Sequence, residues 1–396
     1  MISVLDHAAV RLAGALDASH SATGRTPRRL AAWASKQIQD PMFQFMISVA
    51  SGVRITFASN ADAVELDAML TGIELAEMPG PTPRFDLVID GQTVAAQQSA
   101  GGGRWVVRPA SGPGPFDVEF RAGERSAIRF DGLGSGMKRI ELWLPQSCIV
   151  ELRDLRVSEG ATVEPAPVTA RRWVHHGSSI SQCSEAEGPT ETWPAIAARL
   201  AGVDLTSMGF GGQCHLDQCV ARTIRDLAAD VISVKVGINI INGDTMRERV
   251  FAPALHGFLD TVRDGHPATP LLVSTPILYP AGEGHPGPSI VRAGTSAVVE
   301  RPAELAYGAL SIGRIRELIA EVVRQRQKAG DANLHLLDGR ELFGEVDIPD
   351  LPDGLHPNTA GYRRMGERFA ALAFGEGGPL SAKSGKRSIR RRESDR

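Results

Sequence analysis

The chain has 396 residues, of which 42% are hydrophobic and 22% are charged, and its formal net charge is −3. This composition is typical of a globular protein with room for two domains, and it excludes a general electrostatic attraction to nucleic acid or anionic membranes. No segment reaches the ~18 consecutive apolar residues of a membrane span, and the N-terminus lacks the pattern of a signal peptide. We therefore expect a cytoplasmic protein.

The N-terminal part of the sequence predicts mostly β-structure. Residues 1–50 are mixed, with one helix predicted around 28–36. From about residue 53 to 157, eight or nine short runs alternate apolar and polar residues and are separated by glycine-containing turns. This period of two is typical of antiparallel strands joined by tight turns. We therefore predict an antiparallel β-sandwich domain of jelly-roll type over residues 1–165.

The rhythm changes after the proline-rich stretch Glu164-Pro165-Ala166-Pro167, which we interpret as a linker. Apolar runs then alternate with amphipathic helices, which predicts a parallel sheet covered by helices on both faces. The domain over residues 168–375 is therefore expected to be a flavodoxin-like three-layer α/β/α structure. Its predicted strands are 172–174, 203–206, 231–236, 271–274 and 334–337, and its predicted helices are 193–201, 216–228, 246–262, 312–327 and 359–373. Residues 376–396 are basic without apolar periodicity and predict a disordered tail.

Four motifs with polar residues or glycines follow strands of this predicted sheet. They are Gly177-Ser178-Ser179, Gly209-Phe210-Gly211-Gly212, Gly237-Ile238-Asn239 and Asp353-Gly354-Leu355-His356. Sites in such sheets form at the carboxyl ends of the strands, so these motifs are expected to converge. Each motif alone has a structural explanation, as a helix cap, a tight turn or a loop. The ordered set of four favours a catalytic site.

The residue types in these motifs are those of nucleophilic catalysis. The hydroxyl of Ser179 is inert at its own pKa and needs a base, and His356 is a suitable one. Asp353 lies three residues before His356, so one loop can present both, with the carboxylate orienting the imidazole. Asp350 and Asp338 are alternative acids at less suitable spacings.

These residues resemble those of the SGNH (GDSL-type) hydrolase family over about residues 172–374. The resemblance implies that Ser179 is the nucleophile and that Asp353 and His356 complete the triad. It also implies an oxyanion hole formed by the Ser179 N–H, the Gly212 N–H and the Asn239 side chain. Two positions depart from the family pattern. Its usual Gly-Asp-Ser reads Gly177-Ser178-Ser179, where the following residues favour Ser179 over Ser178, and its usual Asn-Asp reads Asn239-Ile240.

Other residues near the motifs have weaker assignments. His175 and His176 are expected to pack beside the site or to line its rim. Cys183 and Cys214 are either two buried thiols, which we favour, or a disulfide. The proline- and glycine-rich stretch 279–301 is either a lid or substrate-selecting loop or an irregular connection. No Cys/His/Asp group has metal-ligand spacing, so no metal or other cofactor is expected.

The function implied by the resemblance is that of a serine esterase acting on a small acyl ester, such as an ester of a sugar or a natural product. An acyltransferase that moves an acyl group to the hydroxyl of a small molecule is the alternative, because both reactions use the same residues. A non-catalytic carbohydrate-binding protein is the third hypothesis. The expected partner is a small-molecule ester, with no nucleic acid and no membrane. The sandwich domain is expected to select substrate rather than to perform chemistry.

Overall fold

The structure is a computed structural model, and it describes residues 1–75, 80–109, 116–168, 170–292 and 294–382. Most of the predicted basic tail, residues 383–396, lies outside these described residues. Within them, no helix combines the length and the apolar character that a membrane crossing requires.

Short strands dominate the N-terminal unit, with two helices near its start. The helices are α1 (Ala32–Ser35) and α2 (Pro41–Ser48). The strands are β1 (Ile2–Ser3), β2 (Arg11–Ala13), β3 (Asp17–His20), β4 (Arg25–Arg28), β5 (Arg54–Ser59), β6 (Val64–Leu75), β7 (Arg84–Ile89), β8 (Gln92–Gln98), β9 (Gly103–Pro109), β10 (Phe116–Arg121), β11 (Ser126–Phe130), β12 (Lys138–Trp143), β13 (Ile149–Val157) and β14 (Val163–Glu164).

These strands form two sheets that share one hydrophobic core. The first sheet has eight strands with the path β10-β9-β6-β13-β4-β3, and the second has six with the path β14-β5-β12-β7-β8. The pairs are antiparallel except for β6 and β9, which run parallel. Leu66 and Leu152 of the first sheet pack with Phe57 and Leu142 of the second in a single buried cluster. The predicted antiparallel sheets are confirmed, and the jelly-roll type stays a prediction.

The first 50 residues differ from their prediction. The helix predicted over 28–36 is reduced to the four residues of α1, because residues 25–28 extend as β4 and pair with β3. The longer α2 was not predicted. It begins at Pro41 after Asp40, whose carboxylate accepts the Phe43 N–H at 2.8 Å. An Asp-Pro pair is a typical helix start, so the signal was present in the sequence.

The second unit alternates strands and helices. Its strands are β15 (Arg171–Gly177), β16 (Val203–Gly209), β17 (Val231–Lys235), β18 (Leu271–Ser274), β19 (Ser289–Arg292), β20 (Thr295–Val298) and β21 (Leu334–Leu337). Its helices are α3 (Ser179–Gln182), α4 (Trp193–Ala201), α5 (Gln218–Asp226), α6 (Ile238–Asn242), α7 (Glu248–Gly265), α8 (Ile312–Lys328), α9 (Gly339–Leu342) and α10 (Thr359–Phe369), which continues as a π-helix over Ala370–Phe374.

Five of these strands form a parallel sheet in the order β16-β15-β17-β18-β21. When these five strands are numbered in chain order, the order across the sheet is 2-1-3-4-5, which is the flavodoxin-like arrangement. On one face Trp173 packs against Trp193 of α4 and Phe369 of α10. On the other face His176 stacks on Phe258 of α7. Helices therefore cover both faces, and the predicted α/β/α fold is confirmed.

The two units pack closely against each other. Strand β5 is buried along its whole length. Ile55 and Phe57 lie in the sandwich core, and Arg54 forms an ion pair with Asp204 of the α/β unit. Trp143 of β12 and Val88 of β7 pack against Ala195 of α4. The domain boundaries stay predictions, although two features modify them. Strand β14 includes Glu164 and pairs with β5, and the fully buried Leu380 packs in the core of the α/β unit.

Candidate active site

The loop after β15 places a serine at the first position of a helix. Strand β15 ends at Gly177, and α3 begins at Ser179. Ser178 is the N-cap, and its Oγ accepts a hydrogen bond from the Ile180 N–H at 3.3 Å. Ser178 is fully buried, whereas Ser179 is partly exposed. The hydroxyl of Ser178 therefore caps α3, and that of Ser179 is left for other partners.

A chain of hydrogen bonds links Ser179, His356 and Asp353. Ser179 Oγ lies 2.9 Å from His356 Nε2, and His356 Nδ1 lies 2.6 Å from Asp353 Oδ2. The other carboxylate oxygen of Asp353 accepts the backbone N–H groups of Leu355 and His356, at 2.8 and 2.6 Å. With its proton on Nδ1, the imidazole presents the lone pair of Nε2 to the serine hydroxyl. The structure therefore brings together the three residues predicted as a triad.

Nearby carboxylates determine the pKa of the histidine. Burial disfavours the charged imidazolium, but the carboxylates of Glu185 and Asp353 outweigh it and raise the pKa of His356 to about 9. Burial also disfavours the charged form of Asp353, yet the hydrogen bonds donated by His356 and Leu355 lower the pKa of Asp353. Asp353 is therefore a carboxylate over the pH range in which His356 titrates.

The two alternative acids have other partners. Asp350 forms an ion pair with Arg364 of α10. Asp338 is the N-cap of α9, and its carboxylate pairs with Arg340 at 2.6 Å. Among these three carboxylates, the contact with the imidazole is made by Asp353.

The predicted oxyanion donors follow three adjacent strands, β15, β16 and β17. Ser179 is the first residue of α3, where a backbone N–H has no intrahelical acceptor. Asn239 lies in α6 after β17 and is 4% exposed. Its Oδ1 accepts the Cys214 N–H at 3.0 Å, which leaves Nδ2 as the donor. Gly212 lies in the loop after β16 and has a φ of +69°, a conformation that favours glycine. That these three donors bind one oxyanion stays a prediction.

Close packing holds the loop of residues 209–212, the oxyanion loop, against α3. A Cβ atom on Gly209 would lie 2.6 Å from the backbone N of Gln182, so this position requires glycine. The Gly211 N–H donates a hydrogen bond to Gln182 Oε1 at 2.9 Å. The Phe210 N–H donates to Gly177 O at 2.8 Å. The oxyanion loop and the serine-bearing turn therefore form one packed structure.

The stretch 279–301 contains a β-hairpin of β19 and β20. The Ser296 N–H donates to Asp353 O at 2.7 Å, and Ser289 Oγ donates to Asn242 Oδ1 at 2.8 Å. The hairpin thus contacts both the loop that bears the triad carboxylate and the helix α6. Part of this stretch is therefore a paired hairpin, and its role as a lid or substrate-selecting loop stays a prediction.

Sequence reasoning missed Glu185, which follows α3. Its Oε2 accepts a hydrogen bond from the Tyr362 hydroxyl at 2.8 Å, and the residue is exposed. The charge of this carboxylate acts on His356. No motif or spacing marks Glu185, because its role depends on α10, far along the chain.

The two histidines before the serine are buried and do not line a rim. His175 Nε2 lies 2.8 Å from Ser181 Oγ, and His175 Nδ1 lies 2.7 Å from Ser233 Oγ. His176 donates from Nδ1 to Met208 O at 2.8 Å. Burial lowers the pKa of His176 to about 4 and that of His175 well below its usual value. Both imidazoles are therefore neutral and belong to the packed interior beneath the site.

The cysteines near the motifs are thiols. Cys183 and Cys214 are both free and fully buried. Cys214 Sγ lies 3.4 Å from His176 Nε2, and burial raises the pKa of Cys214 well above its usual value. The interpretation of two buried thiols is therefore confirmed.

The fold and the site define this part of the chain as an SGNH-type α/β domain with a serine, a histidine and an aspartate in hydrogen-bond contact. Residues 176–364 match the family model of GDSL-like lipases and acylhydrolases. The chain therefore contains a domain of the GDSL-like lipase/acylhydrolase family, as the sequence motifs predicted.

Solved structures extend the similarity to almost the whole chain. Salicylyl-acyltransferase SsfX3 from a tetracycline biosynthetic pathway is 26% identical, with a TM-score of 0.76 over 93% of this chain and 94% of that protein. A Bacteroides ovatus protein described as a GDSL-like lipase is 20% identical, with a TM-score of 0.65 over 91% and 94% of the two chains. A family two carbohydrate esterase from Clostridium thermocellum is 15% identical, with a TM-score of 0.59 over 94% and 100%.

These matches differ in what they support. The Bacteroides and Clostridium proteins, at their low identity, support the fold alone. No curated protein matches the chain. The family match and the similarity to SsfX3 together identify the protein as an enzyme of the acylhydrolase or acyltransferase type.

Proposed function

We propose that the protein is a serine esterase that cleaves a small acyl ester through an acyl-enzyme on Ser179. The observation that carries this proposal is the unbroken hydrogen-bond chain from Ser179 Oγ through His356 to Asp353. A serine in contact with a base that is itself oriented by a carboxylate is the arrangement that nucleophilic acyl transfer requires.

The proposed reaction has two halves. His356 Nε2 takes the proton of Ser179 Oγ, and the oxygen attacks the ester carbonyl carbon to give a tetrahedral oxyanion. The N–H groups of Ser179 and Gly212 and the Nδ2 of Asn239 stabilise this oxyanion. His356 returns the proton to the alkoxy oxygen as the bond from carbon to oxygen breaks, and the alcohol leaves. A water deprotonated by His356 then attacks the acyl-enzyme and releases the acid and the serine.

The acyltransferase is the second candidate, and a specific observation supports it. The chain is 26% identical to SsfX3, a salicylyl-acyltransferase, along 93% of its length. If this protein is an acyltransferase, the hydroxyl of an acceptor, rather than water, attacks the acyl-enzyme on Ser179. An ester of a sugar or of a natural product is the substrate that we propose for either reaction, because a family two carbohydrate esterase and a tetracycline-pathway acyltransferase share the fold.

The nucleophile is tested by two neighbouring serine variants. Ser179→Ala is expected to abolish hydrolysis of p-nitrophenyl acetate and covalent labelling by a fluorophosphonate. Ser178→Ala is the matched control. It removes an N-cap, which costs about 1 kcal/mol of stability, and it should retain activity. The opposite pattern would move the nucleophile to Ser178. A wild-type enzyme that neither labels nor turns over esters would instead support the hypothesis of a non-catalytic binding protein.

Hydrolysis and transfer are separated by product partition. Chromogenic esters of increasing acyl length are offered with and without sugars or other small alcohols, and the free acid and the new ester are quantified. An esterase releases mainly free acid at every acceptor concentration. An acyltransferase forms ester in proportion to the acceptor and turns over slowly without it.

A further inference from the structure

A fully buried arginine of the N-terminal unit contacts the oxyanion loop. Arg29 Nη1 donates to Gly209 O at 2.6 Å, and Nη2 and Nε donate to Met46 O and Val49 O, each at 2.6 Å. Its guanidinium also lies 5.0 Å from the ring centroid of Phe210. Arg29 is 0% exposed. One side chain thus joins the segment around α2 to the first two residues of the oxyanion loop.

Arg29 has no carboxylate partner within ion-pair distance among the described residues. Its charge is balanced by carbonyl dipoles, and burial lowers the pKa of Arg29 to about 9. A buried charge without a counterion is costly and is retained where its hydrogen bonds fix a geometry. The planar fork of donors in arginine is suited to holding several carbonyl groups at fixed angles.

A second contact from the same segment reaches the serine-bearing turn. The buried Ser51 Oγ donates to Gln182 O at 2.9 Å. The side chain of Gln182 in turn accepts the Gly211 N–H. A Cβ on Gly211 would also lie 3.3 Å from Met46 Sδ, so Met46 packs directly against the loop. The segment from Arg29 to Ser51 therefore contacts the oxyanion loop and α3 from one side.

We infer that Arg29 is a positioning residue that holds the oxyanion loop in register with Ser179. Arg29 touches neither substrate nor the reacting atoms, and it acts through Gly209 on the N–H of Gly212. The inference rests on the proposed function, in which the Gly212 N–H stabilises the oxyanion. It also enlarges the role of the N-terminal unit from substrate selection to the support of catalysis.

Arg54 provides a matched control, because it contacts the other end of strand β16. Arg54 is also buried and also joins the N-terminal unit to β16. It donates to Leu205 O at 3.2 Å and forms an ion pair with Asp204. These partners lie near the amino end of β16, whereas Gly209 lies at its carboxyl end. Loss of Arg54 therefore disturbs the interface between the units without reaching the oxyanion loop.

The test compares Arg29→Met, Arg29→Lys and Arg54→Met in the full chain. Active sites are counted by complete fluorophosphonate labelling, and kcat and KM are measured with p-nitrophenyl acetate. A displacement of the loop by about 1 Å is expected to lower kcat of Arg29→Met roughly 10- to 100-fold, with KM nearly unchanged. Arg29→Lys should retain intermediate activity, because an ammonium keeps the charge and part of the bonding. Arg54→Met should lower the denaturation midpoint but keep kcat per active site.

The outcomes distinguish this inference from the proposed function. If the wild-type enzyme is not labelled at Ser179, the proposed function fails. If it is labelled but Arg29→Met keeps the wild-type kcat, or loses no more than Arg54→Met does, the positioning role of Arg29 is wrong. Should Arg29→Met fail to fold, Arg29→Lys and Ser51→Ala decide. An unchanged kcat in both variants overturns the inference, and a lowered kcat with an unchanged KM supports it.

Discussion

The parallel and the antiparallel halves of the molecule contribute to the site in different ways. In the α/β unit, Ser179, Asn239 and His356 lie in helix starts and a loop that follow strands of one sheet, so side chains perform the proposed chemistry. In the antiparallel unit, Arg29 and Ser51 contact backbone carbonyls beneath those loops. A region without a reacting group is thus bound to the residues that surround the reaction. We expect substitutions in the α/β unit to change turnover directly and those in the sandwich core to change stability.

The largest loss of kcat is expected for a variant of Asp353, which tests whether the chemistry resides in the α/β unit. Asp353→Asn retains the shape of the side chain but favours the wrong tautomer of His356, and kcat is expected to fall by about 10⁴-fold. Asp350→Asn is the control, because Asp350 pairs with Arg364 and not with the imidazole. Steady-state kinetics on both variants give the answer. A large loss in Asp350→Asn with near-normal turnover in Asp353→Asn would assign the role to the other carboxylate.

The next effect concerns the stability of the antiparallel unit. Phe57 is fully buried between its two sheets, so Phe57→Ala should cost about 3–5 kcal/mol of unfolding free energy. Because Arg54 of the same strand joins β5 to β16 of the α/β unit, far-UV circular dichroism and ester hydrolysis should be lost at the same urea concentration. Val118→Ala, at a 59% exposed position of the same unit, should change stability little. Activity that outlasts the sandwich in urea would show that the two units unfold independently.

A smaller effect isolates one oxyanion donor. Asn239→Ala removes the Nδ2 donor, and kcat is expected to fall about 100- to 1000-fold with little change in KM. Asn242→Ala, on the same helix, loses a contact to Ser289 of the hairpin and should keep most of its turnover. If Asn242→Ala reproduces the loss, displacement of α6 rather than a missing donor explains the result.

Sequence periodicity predicted the α/β unit because its strands are buried and its helices have clear ends. Helix α4 matches its predicted range, since Thr192 caps its start and Gly202, with a φ of +63°, ends it. Strands β18 and β21 also match, because each is a short, mainly apolar run bounded by polar or turn residues. In contrast, β1 has two residues and pairs with Val157 of β13, which lies far along the chain. Strands this short have no local signal and form through distant pairing.

The residues of the candidate site also differ in whether the sequence near them predicts their role. Ser179, Asp353 and His356 stand in local motifs at strand ends, so their positions could be predicted from the sequence. Arg29 and Glu185 could not, because their roles come from contacts with residues far away in the chain. Arg29 is 180 residues from Gly209, whose carbonyl it binds. Side-chain contacts between residues so far apart in the chain leave no pattern in the sequence of either segment.

A small effect is expected for Glu185, a carboxylate of the α/β unit that lies outside the motifs. His356 must be neutral to accept the proton of Ser179, so kcat/KM should rise with pH through the pKa of His356, which is about 9. Glu185→Gln removes one of the two charges that raise this pKa, while the amide oxygen still accepts the Tyr362 hydroxyl. The rise in kcat/KM should therefore move to lower pH.

The size of that shift and its control follow from exposure and charge. Because Glu185 is exposed, its interaction with the imidazolium is expected to be about 0.2–1 kcal/mol, which corresponds to less than about one pH unit. Glu187→Gln removes an equal charge from the same loop, but the Glu187 carboxylate is held by Arg84 at 2.5 Å. Its pH profile should match that of the wild-type enzyme. An unshifted profile in Glu185→Gln, or the same shift in both variants, would show that Glu185 does not act on His356 through its charge.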